Sequence, residues 1–177
     1  GKISFSDDTD KTYLGSPIPD FTWGFNVNVK LHGFDFSANI FSAVGNEIIR
    51  NYERQQPYAN QLGYVIDRWV GPGTSDEHPR LTTGETRNNV FSSYFVEDGS
   101  FIRLKNIQIG YTFPKNLMKK AKVESLRLYV AANNLLTLTR YMGYDPDLGS
   151  PNALSAGVDV GMYPQAKSVM GGIQVTF

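Results

Sequence analysis

Between residues 21 and 31 apolar and polar side chains alternate without exception: Phe21, Trp23, Phe25, Val27, Val29 and Leu31 against Thr22, Gly24, Asn26, Asn28 and Lys30. A period of two places the two sets on opposite faces of one β-strand. The pattern resumes after His32 and Gly33, with Phe34, Phe36, Ala38, Ile40 and Val44 opposed to Asp35, Ser37 and Asn39, which predicts a two-residue hairpin. A third run, 101–113, sets Ile107, Ile109, Tyr111 and Phe113 against Gln108, Gly110 and Thr112. Its first half, with Ile102 and Leu104, is in the opposite phase, so a bulge, or the end of the apolar zone, is expected near Lys105 and Asn106. Run 126–139 opposes Leu126, Leu128, Val130, Ala132, Leu136 and Leu138 to Arg127, Tyr129, Ala131, Asn133 and Thr137. Run 167–177 opposes Val169, Ile173, Val175 and Phe177 to Met170, Gly172, Gln174 and Thr176.

The connections lengthen and shorten in turn: 32–33, then 45–100, then 114–125, then 140–166. Short turns at one end of a set of antiparallel strands and long loops at the other are the habit of bacterial transmembrane β-barrels. The fold expected is all-β, about five antiparallel strands of such a barrel, with 45–100 and 140–166 as extracellular loops. A short helix is expected around 61–69. Within the strictly alternating stretches the apolar face carries no charge; Lys30, Asp35 and Arg127 all fall opposite. At a bilayer midplane a misplaced Arg or Lys costs about 2–4 kcal/mol. Arg103, Lys105 and Lys167 share a phase with apolar residues and are read as lying where strands leave the hydrocarbon. A soluble β-sandwich would also exclude charge from its core. The polar face favours the barrel, because Asn, Gly, Ser, Thr and Gln stand where a soluble sheet usually carries Lys and Glu. The residues expected to face a lumen are Asn26, Asn28, Lys30, Asp35, Asn39, Gln108, Arg127, Tyr129 and Asn133. A soluble glycan-binding sandwich and a structural surface protein are the competing readings.

Composition narrows the picture further. Across 177 residues, 17 basic and 17 acidic side chains cancel to a formal charge of zero. Nucleic acid is therefore not an expected partner, since its binders carry a basic footprint. No run of about 18 apolar residues suggests a membrane-crossing helix, and a mean hydropathy of −0.31 does not argue against a barrel, whose strands alternate. Cysteine is absent and the two histidines, His32 and His78, are far apart in sequence, so neither a thiolate nor a metal site is expected. The chain starts at Gly1 without a leader pattern, which fits either a removed signal or an internal piece of something longer, and the piece is the favoured reading.

Several segments resemble the C-terminal part of SusC/RagA-type TonB-linked outer-membrane transporters of Bacteroidetes. The stretch from Gly15 through Pro17, Pro19 and Trp23 to Asn26 is similar to the family's glycine-proline entry into an aromatic strand. Gly33-Phe-Asp-Phe36 looks like its next strand and Gly45-Asn-Glu-Ile48 like the exit into a loop. Asp98-Gly-Ser-Phe-Ile-Arg-Leu-Lys-Asn-Ile107 and Gly110-Tyr-Thr-Phe-Pro114 resemble its most recognisable stretch. Gly143-Tyr-Asp-Pro-Asp147 and Tyr163-Pro-Gln165 follow in the family's order. The resemblance implies that residues 1–177 are the C-terminal segment of a plugged transport barrel, with the plug, the TonB-contacting region and earlier strands upstream. It implies a glycan or peptide substrate, a SusD-like lipoprotein partner, contact with outer-membrane lipid, and no enzymatic activity or cofactor. Ile173, Val175 and Phe177 would then form the signal read by the outer-membrane insertion machinery; the plain alternative is that Phe177 is simply the last packing side chain.

Asp145-Pro-Asp147-Leu-Gly149 has the acidic spacing of a calcium loop but lacks its distal glutamate, so a loop turn is the better reading. Asp7, Asp8 and Asp10 are read as a solvated loop. Tyr58, Tyr64, Trp69 and Tyr144 are candidate substrate or partner contacts, since large aromatics dominate such surfaces; packing of the loop on itself is the alternative. Trp23 and Tyr111 suit an aromatic girdle at a bilayer interface. Lys115, Lys119, Lys120 and Lys122 make a basic turn, read by default as solvated.

Overall fold

The computed structural model describes residues 11–53, 60–81, 88, 91–120, 122–149 and 152–177. Five long strands form one antiparallel sheet: β1 (Phe21–Leu31), β2 (Phe34–Val44), β5 (Phe101–Thr112), β6 (Ser125–Thr139) and β8 (Ser168–Thr176). Their spatial order, β1-β2-β5-β6-β8, is the order in which the chain makes them, and β1 and β8 are the edges. Each run found by alternation in the sequence is a strand of this sheet.

The hairpin between β1 and β2 pairs Leu31 with Phe34 and leaves two residues in the turn. His32 (φ 49°) and Gly33 (φ 86°) both have positive φ, the geometry whose twist matches the flanking strands. At Gly33 a Cβ would stand 2.7 Å from the Thr112 carbonyl oxygen, so only glycine fits. The Thr112 N–H donates to the Gly33 carbonyl at 2.7 Å, tying the turn to β5.

The expected irregularity near Lys105 and Asn106 is a bulge that runs across the sheet. On β2 the step is from Asn39 to Ile40, while on β5 the matching partners are Asn106 and Leu104. On β6 they are Asn133 and Leu136, with Asn134 in the left-handed region at φ 50°. Each strand in turn takes one residue more over the same height. Beyond the bulge Leu104 and Ile102 rejoin the apolar face, and Arg103 turns to the polar one. The parity count that put Arg103 among the apolar residues is corrected by this extra residue: Arg103 is buried and ion-paired, not leaving a hydrocarbon layer.

A second, smaller sheet was not expected. β3 (Glu47–Arg50) and β4 (Val96–Asp98) pair antiparallel, and β3 pairs in parallel with β7 (Val158–Asp159). The segment read as a mere exit into a loop, 45–48, therefore opens a strand that joins both long connections. The helix expected around 61–69 is a 3-10 turn over Gly63–Asp67. The basic turn contains a short helix, α1 (Lys115–Lys120). Among the described residues, the buried side chains Ser42, Ile48, Phe95, Phe101, Arg103, Tyr141 and Asp159 gather at the loop end of the sheet.

Candidate functional site

Three polar tiers cross the charged face of the large sheet. Nearest the hairpin, Arg127 on β6 donates from Nε (2.9 Å) and Nη2 (2.5 Å) to the two carboxylate oxygens of Asp35 on β2. These strands are not neighbours; β5 runs between them, and Gly110 stands under the bridge. A Cβ there would lie 2.6 Å from both Arg127 Nη2 and Asp35 Oδ1. Tyr129 lies over Gly172 in the same way, and the Arg127 guanidinium stacks 5.0 Å from its ring centre. Asn28, Lys30, Asp35, Gln108, Arg127 and Gln174 line a cavity of about 630 Å³ at this end.

At mid-height one amide from each of four strands forms a row, Asn26, Asn39, Asn106 and Asn133, which ends on the β8 hydroxyl of Ser168. Asn39 donates to Asn26, Asn106 to Asn133 at 2.8 Å, and Asn133 to Ser168 Oγ at 3.1 Å. An amide carries two donors and a carbonyl acceptor, so each keeps capacity for a further partner after bonding its neighbour.

At the loop end Arg103 is held from above. Its Nη2 donates to Asp145, its Nη1 to Asp147 at 3.3 Å and its Nε to Thr137 Oγ1 at 3.0 Å. Asp145 also accepts the Gln165 and Asp147 backbone N–H groups, both at 2.9 Å. Burial alone would raise the Asp145 carboxyl; these two N–H donors, with Arg103, outweigh it and hold the group below the usual carboxylate range. Lys105 Nζ lies 3.5 Å from Asp147 and 4.3 Å from the Phe41 ring centre. The Asp145-Pro-Asp147 stretch is thus a clasp that pins the second long loop to the sheet. Among the described residues no group of His, Cys, Asp and Glu is placed to hold a metal.

Also at the loop end, Arg50 on β3 is buried where the two long loops pair. Its Nη1 donates to Glu97 at 2.7 Å, its Nη2 to the Tyr94 carbonyl at 3.3 Å, and it also pairs with Glu53. The rings of Tyr64 and Tyr94 lie 5.0 and 5.1 Å from its guanidinium carbon. Tyr64 stacks on His78, whose Nδ1 is 3.1 Å from the Tyr94 hydroxyl. From the second loop, Tyr141 donates to Asp159 at 2.6 Å and the Met142 N–H to Glu97 at 2.9 Å. Burial, with Glu97 nearby, pushes the Tyr52 phenol up to about 12; burial likewise raises Tyr64, beside Glu53, and Tyr141, beside Asp159.

No protein-family model matches the chain. Among curated proteins it is 34% identical over its whole length to TonB-dependent receptor P3 of Formosa agariphila, covering 18% of that protein. TonB-dependent receptor P39 of the same organism matches at 34% with the same coverage, and TonB-dependent receptor SusC of Bacteroides thetaiotaomicron at 24% over 97% of the chain. Among solved structures, the RagAB peptide importer in its open-open state superposes with a TM-score of 0.77 at 28% identity, over 98% of this chain and 19% of that one. The chain belongs to the SusC/RagA-type TonB-dependent receptors. Its five-stranded sheet matches the C-terminal barrel portion of such a transporter, and the chain spans 18% of the length of the Formosa relatives.

Within this SusC/RagA-type sheet, Asn26, Asn28, Lys30, Asp35, Asn39, Gln108, Arg127, Tyr129 and Asn133 all stand on one face, by register and by their bonds to one another. Ile173 and Val175 stand on the other, opposite Leu128 and Leu126, and Phe177 follows the last strand, fully exposed. The aromatic candidates part company. Tyr64 packs inside the Arg50 cluster, Trp69 keeps about 38% of its surface exposed and Tyr144 about 70%. Tyr58, like Asp7, Asp8 and Asp10, lies outside the described residues. The sequence reading missed Arg50 and Arg103 as organising centres. Phase failed for Arg103 because of the bulge, and nothing in the spacing around Arg50 points to its distant partners.

Proposed function

We propose that this chain forms part of the wall and outer mouth of an outer-membrane, TonB-dependent importer for glycans or peptides, acting with a SusD-like lipoprotein. The observation that carries the reading is the state of the apolar face. Phe25, Val29, Phe34, Ile109, Val130, Leu138 and Ile173, spread over all five strands, are each more than half exposed. A sandwich core would bury them against a second sheet; a barrel wall presents them to lipid. β1 has 11 residues; at about 3.3 Å per residue and a tilt of about 40° such a strand covers about 25 Å, the height of an outer-membrane apolar band. Aromatic side chains flank this band at both ends: Trp23 near the loops, and Phe34, Tyr111 and Phe113 near the hairpin.

In this reading the polar face lines the lumen, the hairpin and the β5–β6 turn are periplasmic, and the joined long loops form the extracellular rim. Trp69 and Tyr144 are the rim aromatics available to substrate or lid. The plug and the TonB-contacting region belong to the larger part of the protein that this chain, at 18% of its relatives' length, does not span. Energy delivered through TonB shifts the plug; this segment supplies wall and rim, and no chemistry. Ile173, Val175 and Phe177 on the β8 edge serve strand addition by the insertion machinery.

The chain itself has no cysteine, so single cysteines introduced here, in a full-length receptor with any cysteines elsewhere replaced, test the assignment directly. Cysteine at Val29, Ile109 or Ile173 should react in whole cells only with a membrane-permeant, lipid-soluble maleimide. Cysteine at Asn28 or Gln108 should react with a water-soluble one. Equal labelling of the two sets would remove the wall from the membrane. Growth on the transported nutrient should in turn require TonB.

A further inference from the structure

The β5–β6 turn places lysines at 115, 119, 120 and 122, with Glu124 as the only acid from 113 to 125. Lys115, Lys119 and Lys122 are exposed, and Leu117 between them keeps 52% of its surface. Among the described residues these three lysines make no ion pair. The turn itself is well anchored. Met118 is buried, the Val123 N–H returns to its carbonyl at 3.3 Å, and the Phe113 N–H donates to the Leu126 carbonyl at 2.9 Å.

Two residues before Lys115, Phe113 packs 5.0 Å from Tyr111, whose ring lies 4.5 Å from that of Phe34. These aromatics close the apolar face at the hairpin end. Aromatic belts sit at headgroup level, and charge placed just beyond one meets the phosphates of that leaflet. A cluster of cations around an exposed leucine, starting within one or two residues of such a belt, has the amphipathic make-up of an interfacial segment.

We propose that the face of the turn formed by Lys115, Leu117, Lys119 and Lys122 is a binding site for anionic phospholipid headgroups of the periplasmic leaflet. The inference rests on the wall reading above and goes beyond it, since a barrel needs no lipid preference. Each lysine contributes attraction to negatively charged lipid, and Leu117 seats the segment at the boundary between headgroups and acyl chains. The site holds the hairpin end of the wall at a fixed depth.

The test uses the full-length receptor in nanodiscs of phosphatidylethanolamine with a minor share of phosphatidylglycerol, followed by detergent exchange and mass spectrometry of the lipid retained. Wild type should retain phosphatidylglycerol about tenfold above its share in the disc. K115Q/K119Q/K120Q/K122Q should lose that preference, and the corresponding four-arginine variant should keep it. Equal enrichment by wild type and the glutamine variant, or no enrichment by wild type, would overturn the proposal. Should the glutamine variant fail to assemble, the wild-type enrichment and the arginine variant still decide. Protection of the turn from hydrogen exchange in cell envelopes but not in phosphatidylglycerol discs would assign it to a protein partner and also overturn it. Failure of the receptor to enter discs of any composition is a different result, and counts against the wall reading itself.

Discussion

At the scale of single residues, this wall is built on glycines that make room for other strands' side chains. Gly110 is the clearest case, because two strands on either side of it share an ion pair that passes over its backbone. Ion pairs that keep some water contact contribute up to about 1 kcal/mol, bidentate ones at the upper end. Gly110→Ala would press a methyl group against both partners. The expected loss is about 1 kcal/mol with Asp35 and Arg127 intact and close to none in a D35N/R127Q background. Urea unfolding of the detergent-solubilised receptor in a double-mutant cycle measures the difference; an equal loss in both backgrounds would mean that the methyl group strains the backbone and not the pair.

At the scale of elements, the long strands were legible because each must present one chemistry on one side and another on the reverse, and a period of two records that demand in every residue. The bulge was legible as a phase change near Lys105, but its consequence was not: an extra residue inverts the count, so Arg103 was assigned to the wrong face. β3, β4 and β7 were not legible at all. Strands of four, three and two residues are too short to show alternation, and their pairing is decided by partners more than 40 residues away. The Asp145–Arg103 clasp was likewise hidden, since each half alone looks like ordinary loop or wall. Its worth follows from burial. Asp145→Ala leaves a buried guanidinium with the more distant Asp147 carboxylate and the neutral Thr137 hydroxyl and should cost about 3–5 kcal/mol, whereas R103M/D145A, which removes the stranded charge, should cost less than the single change. Limited proteolysis within 140–167 reads both.

At the scale of the whole molecule, the two long loops behave as one rim. Backbone bonds from Ile49 to Gly157 (2.7 Å) and from Asn51 to Asp159 (2.8 Å) join them, and the half-buried Tyr52 and Tyr64 and the buried Tyr141 pack around the joint. Those phenols titrate above their ordinary value of 10.0, with Tyr52 at about 12. A raised folded-state pKa favours the protonated form, so this contribution is complete below pH 10 and is lost as pH rises from there through the folded-state values. Between pH 10 and 12 both loops should become cleavable together, in step with tyrosinate absorbance, while the strands stay protected. Cleavage of one loop without the other would break the link between them.

That shared joint constrains how such a rim can diversify. A foreign 45–100 segment grafted onto this wall would arrive without a partner for Gly157 and Asp159, and a foreign 140–166 segment would leave Glu97 and Arg50 facing a surface they do not fit. Such a rim is therefore varied either by exchanging the two segments as a matched pair, or by changes confined to an outlying tip such as 70–74, which is held by bonds of Val70 and Gly71 to Thr74.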